Sequence, residues 1–322
     1  MLRALALAIS TLLSCAPNRT ADVVQTPIGP DIAYFGFLIV DAFHDDPHDT
    51  EPKTNYADEV AGFTNIADIA VFSPQDNVAA RIATMRSLGI KPILLVPTLL
   101  LDFIPDQSSP TGIRYELRPD AQARFTQFVQ QNALSDIRDD LAAVYIADEP
   151  AWNMMDPLDL DAAATIVRQA LPGVPVAIVE AAPALPQLVV PQSIDWIGFD
   201  HYGVLDPAHD PQWQSELQTL RSKRSRPDQR VIIVMESQWR PEYAAAGLSP
   251  EVMASVARSY VAAARNCPET VAILGYTWPG GFDSPDQLGA RNLPASVIAT
   301  YRRLGRSIVH RPASATVGSR HR

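Results

Sequence analysis

From Ala33 onward the chain alternates short apolar, β-branched runs with amphipathic segments, and it does so eight times. The runs are 33–40, 62–66 with its extension to Phe72, 91–96, 142–147, 174–179, 195–200, 231–236 and 271–278. Strands that are apolar on both faces and separated by helices belong to a parallel sheet covered on both sides. The intervening segments share an opening: Ser73-Pro74, Asp156-Pro157, Asp210-Pro211 and Ser249-Pro250 each offer an N-cap followed by proline at the first helical position. Eight such units in about 280 residues predict an α/β fold, a single (β/α)8 TIM barrel over 31–309 with a flexible tail over 310–322. A doubly wound dinucleotide fold would carry a glycine-rich turn after its first strand, and that turn here reads Asp41-Ala42-Phe43-His44.

The N-terminus reads differently. Residues 1–14 hold one early Arg and an apolar stretch too short to span a bilayer, the pattern of a secretory signal peptide. Leu12-Leu13-Ser14-Cys15 resembles a bacterial lipobox, which implies lipidation of Cys15, with 15–30 as a polar tether. The expectation is an exported bacterial lipoprotein, anchored to a membrane through Cys15 on the periplasmic or outer cell-surface side. Cys267, the other of 2 cysteines, reads as a lone structural thiol.

With 26 Lys+Arg against 36 Asp+Glu and a net charge of -10, the chain lacks the basic face that nucleic-acid binding rests on. No CxxC or HExxH spacing is present, so neither a metal nor an organic cofactor is implied. Chemistry falls to carboxylates and aromatic rings.

In such a barrel the active face lies at the C-terminal ends of the strands. Those ends offer Asp41, Asn65, Thr98, Asp148-Glu149-Pro150, Glu180, Asp200-His201-Tyr202, Glu236 and Trp278. An acidic cup with aromatic rings suits a neutral carbohydrate, because carboxylates accept from hydroxyls and flat rings stack on sugar faces. The 98–118 segment is the longest loop on this face and is expected to shape one end of the cleft.

Asp148-Glu149-Pro150 ending the fourth run, Tyr202 after the sixth, Glu236 ending the seventh and Trp278 ending the eighth together resemble the retaining glycoside hydrolases of clan A. The resemblance implies Glu149 as acid/base, Glu236 as nucleophile, Tyr202 as a donor to the nucleophile and Trp278 as the floor of a sugar subsite. Asp148 stands where the clan typically has Asn. It would accept from a sugar hydroxyl, and its charge would raise the pKa of Glu149. The clan's arginine near the second strand has no counterpart, since Arg81 falls in a helix.

Trp152 and Trp239 each follow, by three residues, one of the two glutamates that the resemblance implies as catalytic, and are equally compatible with subsite walls or with packing. Asp41 and His201 are further substrate-contact candidates. Asp41 and His44, with Asp45, Asp46, His48 and Asp49, are as compatible with a solvated or metal-binding loop. Glu180 reads equally as a cup carboxylate or a loop residue. Competing functions are a transglycosylase using the same residues and a non-catalytic carbohydrate-binding lipoprotein; a metal-dependent barrel hydrolase ranks last.

Overall fold

The computed structural model describes residues 32–309. The signal segment, Cys15, the tether and the 310–322 tail lie outside the described residues. The strands, in chain order, are β1 (Tyr34–Phe37), β2 (Ile66–Ala70), β3 (Lys91–Leu95), β4 (Leu101–Pro105), β5 (Ile113–Leu117), β6 (Ala143–Asp148), β7 (Val176–Ala181), β8 (Trp196–Asp200), β9 (Arg230–Glu236) and β10 (Thr270–Tyr276). Eight of them close a parallel barrel in the order β1-β2-β3-β6-β7-β8-β9-β10, and β4 pairs antiparallel with β5 as a separate hairpin. The chain is therefore a (β/α)8 barrel, as the alternation of runs predicts.

Alternation along each strand sorts the core into two layers. Ile66, Ile93, Tyr145, Val179, Ile232 and Leu274 fill the barrel interior. Phe35, Phe37, Ile69, Val144, Ile233 and Met235 face outward and pack under the helices. Gly36 is fixed by close approach: a Cβ there would sit 1.8 Å from the Ile66 carbonyl oxygen across the β1–β2 pairing.

The expected caps form at two of four places. Asp156 accepts from the Leu158 N–H and Asp210 from the Trp213 N–H, opening the helices Pro157–Ala170 and Pro211–Ser222. Ser249-Pro250 opens a 3-10 turn (Pro250–Val252) without a side-chain cap. Ser73-Pro74 starts no helix. Asp76 closes a turn there by accepting from the Phe72 and Ser73 N–H groups, and the helix begins at Ala79.

Two further expectations are corrected. Asn65 lies before β2, not after it, so it sits at the opposite end of the barrel from the cup, accepting from the Phe35 N–H and donating to the Ala33 carbonyl. The 98–118 loop is largely the β4–β5 hairpin. The acidic loop after β1 is pinned down by Arg291, which pairs with the buried Asp46 at 3.0 Å and with Asp49. His44 and His48 reach the carbonyls of Gly280 and Gln287, each at 2.8 Å.

Candidate active site

At the C-terminal end of the barrel lies a cavity of about 680 Å³. Its carboxylates come from one arc. Asp148 ends β6 and Glu149 follows it, Asp200 ends β8 with Tyr202 just beyond, and Tyr276 ends β10. Tyr145 lines the floor and Asp283 the rim. The opposite arc, β1 to β3, supplies Leu38, Ile39, Ala70, Val71, Ile93 and Leu95.

Glu149 owes its position to a constrained turn. Its φ of 49 lies in the left-handed region, which costs a non-glycine residue about 1 kcal/mol and persists only where neighbours over-determine it. They do so here. Glu180 is fully buried and accepts from the N–H groups of Ala151 at 2.7 Å, Trp152 at 3.1 Å and Ala181 at 3.0 Å. The buried Asn153 donates to the Asp148 and Glu149 carbonyls at 3.2 and 3.0 Å. Glu180 is thus the clamp on the turn that carries Glu149, which resolves its two readings.

The cup concentrates negative charge. Among the described residues that line it there is no Lys, Arg or His. Glu149 is pushed up to about 8, first by desolvation and then by the charges of Asp200, Asp148, Glu180 and Asp283. Asp200 rises to about 7 through desolvation and the Asp148 charge, offset in part by the Tyr202 hydroxyl, which donates to it at 3.1 Å. Asp148 is exposed to the open cup yet surrounded by protein, and desolvation raises it while the Tyr145 hydroxyl donates to it.

Six expected site residues do not line the cup. Glu236 ends β9 as expected but has no accessible surface: the Gly203 N–H donates to it at 2.6 Å, the Tyr243 hydroxyl donates to its other oxygen, and Arg240 stands 3.6 Å away. Desolvation still raises its pKa, with those three groups offsetting in part. Its phenolic partner is therefore Tyr243, not Tyr202. Trp278 is 2 % exposed, packs edge-on against Phe37 at 4.9 Å and donates its indole N–H to Glu59 at 2.8 Å, so it belongs to the layer outside the barrel. Asp41 is buried in an ion pair with Arg81 at 2.8 Å. His201 turns to Glu216 at 2.6 Å.

Trp239 packs on Tyr243 with ring centroids 5.4 Å apart, and Trp152 lies in the clamped turn; neither lines the cup. Tyr276, Asp283, Tyr145, Tyr115 and Asp200 are among the cup residues to which the sequence assigns no role. Tyr276 stacks on Tyr202 at 5.3 Å and donates to Asp283 at 2.6 Å. Among the described residues no group of three or more His, Cys, Asp or Glu is placed to hold a metal ion.

The fold matches that of solved glycoside hydrolases. A glucosidase from Croceicoccus marinus superposes with a TM-score of 0.58 at 15% identity, over 88% of this chain and 68% of that one. Xylanase 10B from Thermotoga maritima gives 0.54 at 12%, over 86% and 96%. Endo-glycoceramidase II from Rhodococcus sp. gives 0.52 at 15%, over 85% and 80%. No family model matches the chain, and no curated protein does. At these identities the likeness establishes the barrel.

Proposed function

We propose that this protein is a glycoside hydrolase that cleaves an O-glycosidic bond by double displacement, with Glu149 as acid/base. The observation that carries the reading is the placement of Glu149 in a TM-barrel cup beside Asp148 and Asp200, with tyrosines and no cation among the described lining residues, where burial and neighbouring charge push its pKa up to about 8. In the first step Glu149 gives its proton to the leaving oxygen as the C–O bond breaks and a carboxylate attacks the anomeric carbon. In the second, Glu149 takes a proton from water, which displaces the ester. A sugar acceptor in place of water would give transglycosylation with the same residues.

The attacking carboxylate is Glu236 in the reading by resemblance. One observation favours Asp200 instead: it lines the cup with Glu149, whereas Glu236 is enclosed. We assign Asp200 as nucleophile and Glu236 as the positioning residue that holds Gly203, and with it the turn carrying Tyr202. A panel of aryl glycosides tests both assignments. Asp200→Asn should abolish turnover, and Glu236→Gln should lower it while leaving a measurable remainder. Loss of all turnover in a folded Glu236→Gln, with activity kept in Asp200→Asn, would restore the original pair.

Export and anchoring are part of the same proposal. Cys15→Ser should move the protein from the membrane to the soluble fraction, and unchanged partitioning would exclude the lipid anchor.

A further inference from the structure

We propose that the substrate is a glycoside with a hydrocarbon aglycone, its sugar set against the Asp148–Glu149–Asp200 arc and its apolar part against the β1–β3 arc. This rests on the glycoside hydrolase reading and names the substrate class of that site. The observation is an uneven spread of charge across one cavity: every lining carboxylate lies on the β6–β10 side, where Val179, Val234 and Leu274 also form part of the wall, and none lies on the β1–β3 side. From Leu38 to Phe103 the lining side chains are aliphatic or phenyl except Thr98, and the Thr98 hydroxyl already donates to the Val71 carbonyl at 2.7 Å. A second sugar seated there would leave its hydroxyls without partners, which costs more than its burial returns.

Aromatic stacking does not rescue a sugar on the deep part of this wall, since the rings of Phe72 and Phe103 stand toward its rim. Ile39, Ala70, Ile93 and Leu95 present aliphatic surface rather than ring faces. Hydrocarbon, in contrast, gains with every methylene removed from water. The wall also continues to the rim. Phe72 is 54 % exposed and lies against Phe43, itself 56 % exposed, with ring centroids 5.9 Å apart. Phe103, on the hairpin, meets Tyr115 edge-on at 5.1 Å. Exposed rings continuous with an apolar cavity wall form an extended surface for a chain longer than the cavity is deep. On the other side, the absence of any cation among the described lining residues disfavours a uronate or sulfated sugar, so the glycone is uncharged or carries an ammonium group.

The test uses methyl, butyl and octyl β-D-glucosides, galactosides and mannosides below their micellar concentrations, with tetrasaccharides of the same sugars as competitors. Binding and kcat/KM are both read. Full burial of a methylene corresponds to about fourfold, so octyl over butyl should gain at least about tenfold for the sugar that fits. Phe72→Ala, a change at an exposed rim position, should reduce the octyl-to-methyl ratio several-fold, and Leu95→Asn should reduce it further. Equal treatment of methyl and octyl members, or preference for the tetrasaccharide, would overturn the inference while hydrolysis itself stood. Length-dependent binding that Phe72→Ala flattens, with no hydrolysis of any member, would uphold the amphiphilic cup and sink the hydrolase reading.

Discussion

The Tyr202 hydroxyl donates to Asp200 at 3.1 Å, and its ring stacks on Tyr276. The donor that resemblance would aim at Glu236 thus serves the carboxylate that faces the cup. Tyr202→Phe removes that donor and raises the pKa of Asp200 further. A hydrogen bond to a charged group is worth about 1.5–3 kcal/mol, so the acidic limb of the pH–rate profile should move up by about one unit. An unmoved acidic limb would separate Tyr202 from the reaction.

In the unaltered protein, turnover should trace a narrow bell. Asp200 must be ionised and is raised to about 7, while Glu149 must be protonated and is raised to about 8. The limbs should fall near those values, as properties of the coupled cup rather than of either residue alone. A broad plateau reaching from about pH 5 to pH 7 would contradict the assignment.

The same shifts make stability depend on pH. Glu149, Asp200 and Glu180 all have folded pKa values above their ordinary ones, so between about pH 5 and 8 the folded state binds more protons than the unfolded. Their contribution is best below the unfolded values and declines as pH rises through the folded ones. Urea unfolding should show lower stability at pH 8 than at pH 5. Asp200→Asn should remove about 2 kcal/mol of the stability lost between pH 5 and pH 8.

Glu180 and Trp278 should behave as structural residues. Glu180→Ala strands three backbone N–H groups and should cost about 2–4 kcal/mol, together with the turn geometry of Glu149. Trp278→Ala should cost about 3–5 kcal/mol, and Trp278→Phe should leave KM unchanged. A raised KM in Trp278→Phe at unchanged stability would return the ring to a sugar subsite.

The strands were legible because β-branched runs bounded by turn residues leave little choice of element, as from Val231 to Met235. The site was legible at Glu149, where Asp-Glu-Pro ends its run, and at Tyr202. It was not legible where the direction of a side chain depends on the segment beyond the strand. Val234 and Glu236 share a strand face, but the chain after β9 folds Tyr243 back over the glutamate. β10 ends at Tyr276, so the eighth run delivers a tyrosine to the cup and carries Trp278 away to Phe37. β6 shifts register between Tyr145 and Ala147, which upsets simple alternation just before Asp148. Nothing in residue order shows that Glu180 caps the turn of Glu149, since its bond to the Ala151 N–H joins the ends of two strands across 29 residues.

Delivery of the proton to the leaving group by Glu149 is the step on which the whole reading turns, and leaving-group dependence tests it most directly. Glu149→Ala should be measured on a 2,4-dinitrophenyl glycoside, whose leaving group needs no proton, and on an alkyl glycoside of the same sugar. The expected result is a loss of about 10²–10⁴-fold on the alkyl substrate, bond cleavage largely kept on the dinitrophenyl one, and disappearance of the basic limb near pH 8. Equal losses on both substrates, with the basic limb intact, would contradict it.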